Sequence, residues 1–266
     1  MSFHCIVCIK QVPHPGHFSK INLDPVTGAI RRAGIPSVLN PLDKNVIEEA
    51  LCIRERFSGK VTAITMGPPQ AREVLEEAYA LGADEGVLLC DLTLAGADSL
   101  ATAYTLAKGI QKIGKYDLVL CGNESIDGAT QQVGPQLAEL LGIPHVTHVV
   151  EVNWLNEREA VVKRAIEYGY LKVKVKMPAV MTVVKSINTC RLPSVLDIMG
   201  AAGKEVQKWG CCDINGATEC VGLPGSPTRV IGIVQVESKR KREMLKGSEE
   251  EMAKSAVKRL REYGVI

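Results

Sequence analysis

The stretch Gly122-Asn123-Glu124-Ser125-Ile126-Asp127-Gly128-Ala129-Thr130-Gln131-Gln132-Val133 bears most directly on chemistry. Apolar residues precede it at Leu118 to Cys121 and follow it at Val133, Leu137 and Leu141, so it reads as a loop leading from a strand into a helix. Such a loop leaves the first-turn N–H groups and the positive end of the helix dipole free for an anion. Gly128 lets the backbone come close or take a positive φ, and Ser125, Thr130 and Gln131 add neutral donors. A diphosphate would fit. The loop holds no lysine, which argues against phosphoryl transfer and for static cofactor binding. The plain structural alternative is a well-capped turn, with Asp127 or Thr130 as the N-cap.

Other constellations are weaker. There is no GxGxxG, no GxxxxGK[ST] and no GxSxG in the chain. His14 and His17 read as surface residues, and His145 and His148, three apart on an expected strand, fall on opposite faces. Cys5 and Cys8 are spaced like half a zinc site, but the same parity separates them, and no second CxxC or His pair completes a set. The adjacent Cys211 and Cys212, with Cys220, lack a fourth ligand. Glu48 and Glu49 read as a solvated helix face. The basic run Lys239 to Arg242 reads as a solvated or partner-facing segment, since Glu249, Glu250 and Glu251 follow it.

The elements that must position the loop are legible from periodicity. His4 to Val12 predicts a buried first strand. The turn chemistry of Asp24-Pro25-Val26-Thr27-Gly28 predicts a β-hairpin excursion over about 19–38. Asn40-Pro41 predicts a helix start, with Val46, Ile47, Ala50 and Leu51 as its stripe. Strands are expected at Lys60 to Thr65, Gly86 to Cys90 and Leu118 to Cys121. Between them lie helices bearing Val74, Leu75, Ala78 and Leu81, then Leu100, Ala103, Leu106 and Ile110 behind a cap at Asp98 or Ser99. Short strands apolar on both faces, joined by crossover helices, predict a Rossmann-like, mainly parallel α/β sheet covered on both faces. Strands predominate after Pro144. From about residue 189 the chain reads as an irregular arm that packs on a partner subunit, ending in a helix capped by Ser248 and Glu251. The expected division is thus 1–188 and 189–266. Ligands of such a sheet bind beyond the carboxyl ends of its strands, where Cys8 to Pro13, Met66-Gly67-Pro68 and the loop after Leu118 to Cys121 are placed.

Composition bounds the partners. The chain of 266 residues is 23% charged and 46% hydrophobic, ordinary values for a globular protein. A net charge of +2 and few aromatics give no case for nucleic acid. No apolar run approaches a membrane span, and the N-terminus enters a strand pattern at once without a signal-peptide core. A cytoplasmic protein with reduced thiols is expected.

Four segments, VCIKQVP, NPLDKNVIEEAL, TMGPPQAREVLEEAYALGAD and GNESIDGATQQVGPQLAELLG, together resemble electron-transfer flavoprotein β subunits, collinearly from Cys5 to about Met199. The resemblance implies a subunit that pairs with a larger, FAD-carrying α subunit and itself binds an adenine nucleotide. It assigns the contacts to Cys8, to Asn40, Pro41, Leu42 and Asp43, to Met66, and to Gly122 through Val133. One branch of that family holds structural AMP. The other, electron-bifurcating, holds a second FAD, and Asp127 to Pro135 resembles its loop, with Ala129 departing from an acidic position. For that branch the resemblance implies hydride entry from NADH. One electron then passes to ferredoxin or flavodoxin, and the other passes through the α subunit to a flavin dehydrogenase of acyl-CoA, enoyl-CoA or 2-hydroxy acid type. Asn188 to Met199 resembles the segment that docks on that dehydrogenase, with Val195, Leu196, Ile198 and Met199 as anchors; burial of these four against the chain's own arm is the alternative. A stand-alone adenine-nucleotide enzyme is the remaining reading.

Overall fold

The structure, a computed structural model, describes residues 3–20, 22–23, 30–31, 34–229, 231 and 244–266. Its centre is a nine-stranded sheet built around β1 (Phe3–Cys8), β6 (Gly59–Met66), β7 (Glu85–Leu89), β8 (Leu118–Gly122) and β12 (Ala179–Val183). On one side of β1 the order runs β6, β7, then β13 (Val206–Trp209). On the other it runs β8, β12, β9 (His145–Leu155), β10 (Glu159–Ile166) and β11 (Gly169–Lys176). All neighbours pair in parallel except β9–β10 and β10–β11.

The central strands β1, β6, β7 and β8 are parallel because a crossover helix joins each to the next, and helices cover both faces. α1 (Pro41–Phe57) and α2 (Arg72–Leu81) bury Val46, Ile47, Leu51, Val74 and Leu75 against Cys5, Val7, Leu118 and Leu120. α3 (Ser99–Ile113) and α4 (Val133–Leu141) bury Leu106, Ile110 and Leu137 against Ile6, Cys8, Val119 and Cys121. Cys5 and Cys8 therefore do face opposite layers. Asp98 caps α3, accepting from the Leu100 and Ala101 N–H groups at 2.9 and 3.0 Å.

Chain order reverses at β1. The connections β1–β6–β7 move away in one direction, and β8 then starts on the opposite side. The crevice outside the carboxyl ends of β1 and β8 is the topological switch point, where an open α/β sheet has no helix filling the gap. Between β1 and α1 the chain makes short antiparallel pairs, β2 (Gln11–Pro13) with β5 (Ser37–Leu39), and β3 (Asn22–Leu23) with β4 (Ile30–Arg31). The expected turn at Asp24 to Gly28 lies outside the described residues, as does the basic run at Lys239 to Arg242.

Three expectations change. β13 was not foreseen: its four residues, Val206 to Trp209, carry no apolar run, yet they extend the sheet beside β7. The chain divides compactly into 1–233 and 234–266, not at 188, because the segment after α5 (Val195–Ala201) returns to the sheet and its turn at Cys212–Ile214 packs on α3. Finally, β9 shifts register opposite Met181 to Val183, with His148 at φ 57°, so the parity argument for His145 and His148 does not hold across that irregularity.

The second unit contains α6 (Glu249–Glu262), opened by the Ser248–Glu251 capping box; none of its residues is buried. Among the described residues no helix is long and apolar enough to cross a membrane.

Candidate functional site

At the carboxyl end of the sheet Cys8 and Cys121 are direct neighbours on β1 and β8. Both are nearly buried, and their mutual hydrogen bond together with burial pushes the Cys8 thiol well above its ordinary range. Beyond them the chain leaves β1 through Lys10. The Lys10 N–H donates to Asp43 Oδ2 at 2.8 Å, and its carbonyl accepts from the Asn40 N–H at 2.9 Å. The lysine backbone thus fixes the first turn of α1 against the end of β1.

Asn40 precedes α1, and Pro41 occupies the first helical position, as its fixed φ allows. The side chain of Asn40 does not cap the helix. It donates to Asp43 Oδ1 at 3.0 Å and to the Glu124 carbonyl at 3.0 Å, and accepts from the Ile126 N–H at 3.3 Å. With the side chain 1% exposed, these bonds replace water and moor the loop after β8 to the start of α1. Asp43 is equally enclosed. Burial pushes its carboxyl up to about 7, against the opposing pull of Asn40 and the Lys10 backbone and ammonium, with nearby Asp127 adding to the rise. Gly122 and Leu42 close this side: a Cβ on Gly122 would meet Asp43 Oδ1 at 2.3 Å and Leu42 Cβ at 3.5 Å.

The loop itself runs from Asn123 to Gln132. Asn123 is tied to β12, its N–H donating to the Val183 carbonyl at 2.9 Å and its Oδ1 accepting from the Thr182 hydroxyl at 3.3 Å. The Lys10 ammonium lies 2.7 Å from Asp127 Oδ1 and 3.2 Å from Ser125 Oγ. Glu124 accepts from the Gln131 amide at 2.9 Å, and the Ala129 N–H donates to the Ser125 carbonyl at 2.8 Å. Glu124 through Asp127 are half-buried; Gly128 through Gln132 are exposed.

Two sequence expectations are corrected here. Positive φ falls on Ala129 at 46° and Gln131 at 57°, whereas Gly128 is not in that region. Left-handed backbone at non-glycine residues is strained, and such strain clusters at ligand clamps. Nor does Asp127 or Thr130 cap α4. The residue before that helix is Gln132, which makes no cap bond; its Oε1 accepts from Ser99 Oγ at 2.8 Å. Since the first turn also contains Pro135 and Gly134, it meets the crevice without a side-chain cap. Gly134 must be small, because a Cβ there would lie 2.3 Å from Thr182 Cγ2.

Sequence reasoning missed Lys10. The loop contains no lysine, but the fold brings one to it from a neighbouring strand end. Met66, the other expected contact, ends β6 and packs half-buried on the same layer as Cys8. Cys8, Asn40 to Asp43 and Gly122 to Val133 are thus brought together. Val195, Leu196, Ile198 and Met199 belong to a different surface, on α5 against α2.

The arrangement suits an anionic nucleotide. The uncapped first turn of α4, the Lys10 ammonium and the Ser125 hydroxyl supply donors for phosphate. The half-buried Glu124 carboxylate of the loop supplies an acceptor for ribose hydroxyl or amino groups.

Comparison with known proteins gives the family. The family model described as "Electron transfer flavoprotein domain" matches residues 27–213. This chain belongs to the electron transfer flavoprotein family, on its β-subunit side. It is 45% identical over 261 residues to "Electron transfer flavoprotein subunit beta" of Clostridium acetobutylicum, covering 98% of this chain and 99% of that one. It is 45% identical over 262 residues to the protein of the same name from Thermoanaerobacterium thermosaccharolyticum, at 98% and 99% coverage. It is 43% identical over 263 residues to "Caffeyl-CoA reductase-Etf complex subunit CarD" of Acetobacterium woodii, again at 98% and 99%. The four segments that carried the resemblance include the three that form the crevice, the end of β1 through Lys10, the start of α1 and the loop after β8.

Proposed function

We propose that the crevice at the β1/β8 switch point holds FAD, and that this chain works with an FAD-carrying α subunit in electron bifurcation among NADH, ferredoxin or flavodoxin, and a flavin dehydrogenase. The observation that carries the nucleotide reading is the uncapped first turn of α4 facing a loop whose strained backbone is clamped from three elements. The sequence of that loop, Asp127 to Pro135, favours FAD over AMP. A relative named as part of a caffeyl-CoA reductase–Etf complex supports a dehydrogenase acting on a CoA thioester. Bound FAD supplies the redox chemistry. The residues of this chain orient it: Lys10 and the α4 first turn hold phosphate, Asn40 and Asp43 hold the loop in register, and the paired strands behind Cys8 and Cys121 exclude water. Val195, Leu196, Ile198 and Met199 offer an apolar face to the dehydrogenase.

The test is to copurify the chain with its α subunit, denature the complex and quantify released nucleotides by chromatography. FAD from both subunits, with no AMP, supports the proposal. FAD from the α subunit with AMP from this chain replaces it by a structural, non-bifurcating role. No adenine nucleotide from this chain removes the assignment of the crevice.

A further inference from the structure

The exposed apolar face is held at both ends. Leu192 is 93% exposed and Val195, Leu196, Ile198 and Met199 between 53% and 79%. Nothing about five solvated apolar side chains would keep them in one place. At one end Arg191 grips α1: Nε and Nη2 donate to the two oxygens of Glu48 at 2.9 and 3.0 Å, the backbone N–H to Glu48 Oε2 at 3.1 Å, and Nη1 to Glu55 Oε1 at 2.7 Å. Asn188 adds a reciprocal amide pair with Asn45. Its carbonyl and Oδ1 accept from Asn45 Nδ2 at 3.0 and 2.9 Å, and its Nδ2 donates to the Asn45 carbonyl at 3.0 Å and to Glu49 Oε2 at 3.1 Å. At the other end α5 packs on α2 with Ala201 buried, and the Ser194–Asp197 capping box fixes its first turn.

The receptors on α1 recur at helical spacing, Asn45, Glu48, Glu49 and Glu55. Glu48 and Glu49 are 7% and 8% exposed, so the solvated face read from the sequence is in fact covered by this clasp. Burial alone would raise the Glu48 carboxyl; the Arg191 bonds reverse that and hold it below its usual range. A bidentate arginine–carboxylate pair is directional, and a buried carboxylate stripped of its arginine is costly. The clasp therefore admits one position of the segment. Its receptor is also the helix whose first turn, at Asn40 and Asp43, closes the nucleotide crevice.

We infer that Arg191 is a positioning residue for partner docking: by seating on Glu48 and Glu55 it presets the Leu192–Met199 face, so that binding does not have to order it. The identity of the partner, a flavin dehydrogenase acting on a CoA thioester, rests on the function proposed above; the presetting does not.

The experiment uses the full heterodimer carrying Arg191→Met, Arg191→Lys, or Arg191→Met with Glu48→Met, the last removing the stranded buried charge. Hydrogen exchange over 188–201 is followed by mass spectrometry, and steady-state electron transfer is measured with a flavin acyl-CoA dehydrogenase and its acyl-CoA. In Arg191→Met and the double variant, exchange over 192–199 should rise by about tenfold or more while the sheet stays protected. The KM for the dehydrogenase should rise by about tenfold at unchanged kcat and nucleotide content, with Arg191→Lys intermediate. Unchanged exchange overturns the presetting. Faster exchange with an unchanged KM overturns its role in docking. Should the wild-type heterodimer fail to react with any such dehydrogenase, the proposed partner falls and the exchange result alone decides whether Arg191 presets the face.

Discussion

Lys10 and Asp127 form an ion pair of 2.7 Å across the β1/β8 switch point, with the carboxylate side chain only 4% exposed and the lysine 41%. The pair joins the end of the first strand to the loop proposed to hold phosphate, and its ammonium also reaches Ser125 Oγ at 3.2 Å. Replacing Lys10 by Met removes the cation from both. Because the lysine is partly solvated, the stability loss should be modest, about 1–2 kcal/mol. Nucleotide retention should suffer more, with affinity falling about tenfold to a hundredfold, since a charge-assisted phosphate contact is lost and Asp127 is left facing the anion. Chromatographic nucleotide content after dialysis, read beside a thermal melt, separates the two effects. Full retention in Lys10→Met would remove Lys10 from the binding machinery.

Two glycines, Gly122 at the end of β8 and Gly128 in the loop that follows, predict opposite outcomes. A Cβ on Gly122 meets Asp43 Oδ1 at 2.3 Å, and neither the buried carboxylate nor strand β8 has room to yield. Gly122→Ala should cost about 1–3 kcal/mol and weaken nucleotide binding by displacing Asp43 from Asn40 and Lys10. At Gly128 the nearest atom is Ser125 Oγ at 3.5 Å, and φ is not in the left-handed region. Gly128→Ala should therefore stay within about 0.5 kcal/mol of the parent. Denaturant unfolding of the two variants side by side tests this; equal losses would mean that the geometry around Asp43 is wrong.

The sheet was legible because its strands are short and apolar on both faces and its helices carry unbroken stripes. Leu118 to Cys121 followed by Val133, Leu137 and Leu141 leaves little choice of element. The loop was legible as a loop for the same reason. What periodicity does not carry is which distant group covers a given face. Glu48 and Glu49 look solvated on a helical wheel, and only a contact 143 positions away, to Arg191, buries Glu48. Lys10 was read as part of a strand, with its reach of 117 positions to Asp127 invisible. Asn40 was read as a cap because asparagine favours that position. The fold spends its side chain on the Glu124 carbonyl and Ile126 N–H instead, a choice decided by the approach of β8. β13 escaped because an edge strand needs hydrogen bonds to β7 more than it needs an apolar pattern.

Asn40→Ala tests that bridge. It deletes two partly buried bonds to the loop and a buried one to Asp43, leaving the Ile126 N–H and Glu124 carbonyl without their partner, at a cost of about 2–3 kcal/mol. The loss should be local: hydrogen exchange over 123–132 should accelerate while β1, β6 and β8 remain protected. Asn40→Asp should not rescue it, because a carboxylate has no amide proton for the Glu124 carbonyl or Asp43 Oδ1. Wild-type exchange in the loop of Asn40→Ala would show that other contacts suffice to hold it.

Asp43 gives the clearest pH signature. Burial pushes its carboxyl up to about 7 in the fold, from an ordinary value of 3.8. Between those values the unfolded chain is ionised and the folded one protonated, so folding takes up a proton. This group's contribution to stability is therefore fully present below about pH 4, is lost as pH rises toward 7 and levels off above it, with a slope of at most about 1.4 kcal/mol per pH unit. Glu48, whose carboxyl Arg191 holds low, works in the other sense, its contribution present above the ordinary carboxylate range and lost on acidification. The two are separated by Asp43→Asn, which does not titrate; its NH2 forfeits one of the two N–H bonds that Asp43 accepts from Lys10 and Asn40, a loss that is the same at every pH. Relative to that variant, the wild type should lose stability steadily from pH 4 to pH 7 in denaturant titrations. Parallel curves across that range would mean that Asp43 is ionised in the fold and that Lys10 and Asn40 offset its burial in full.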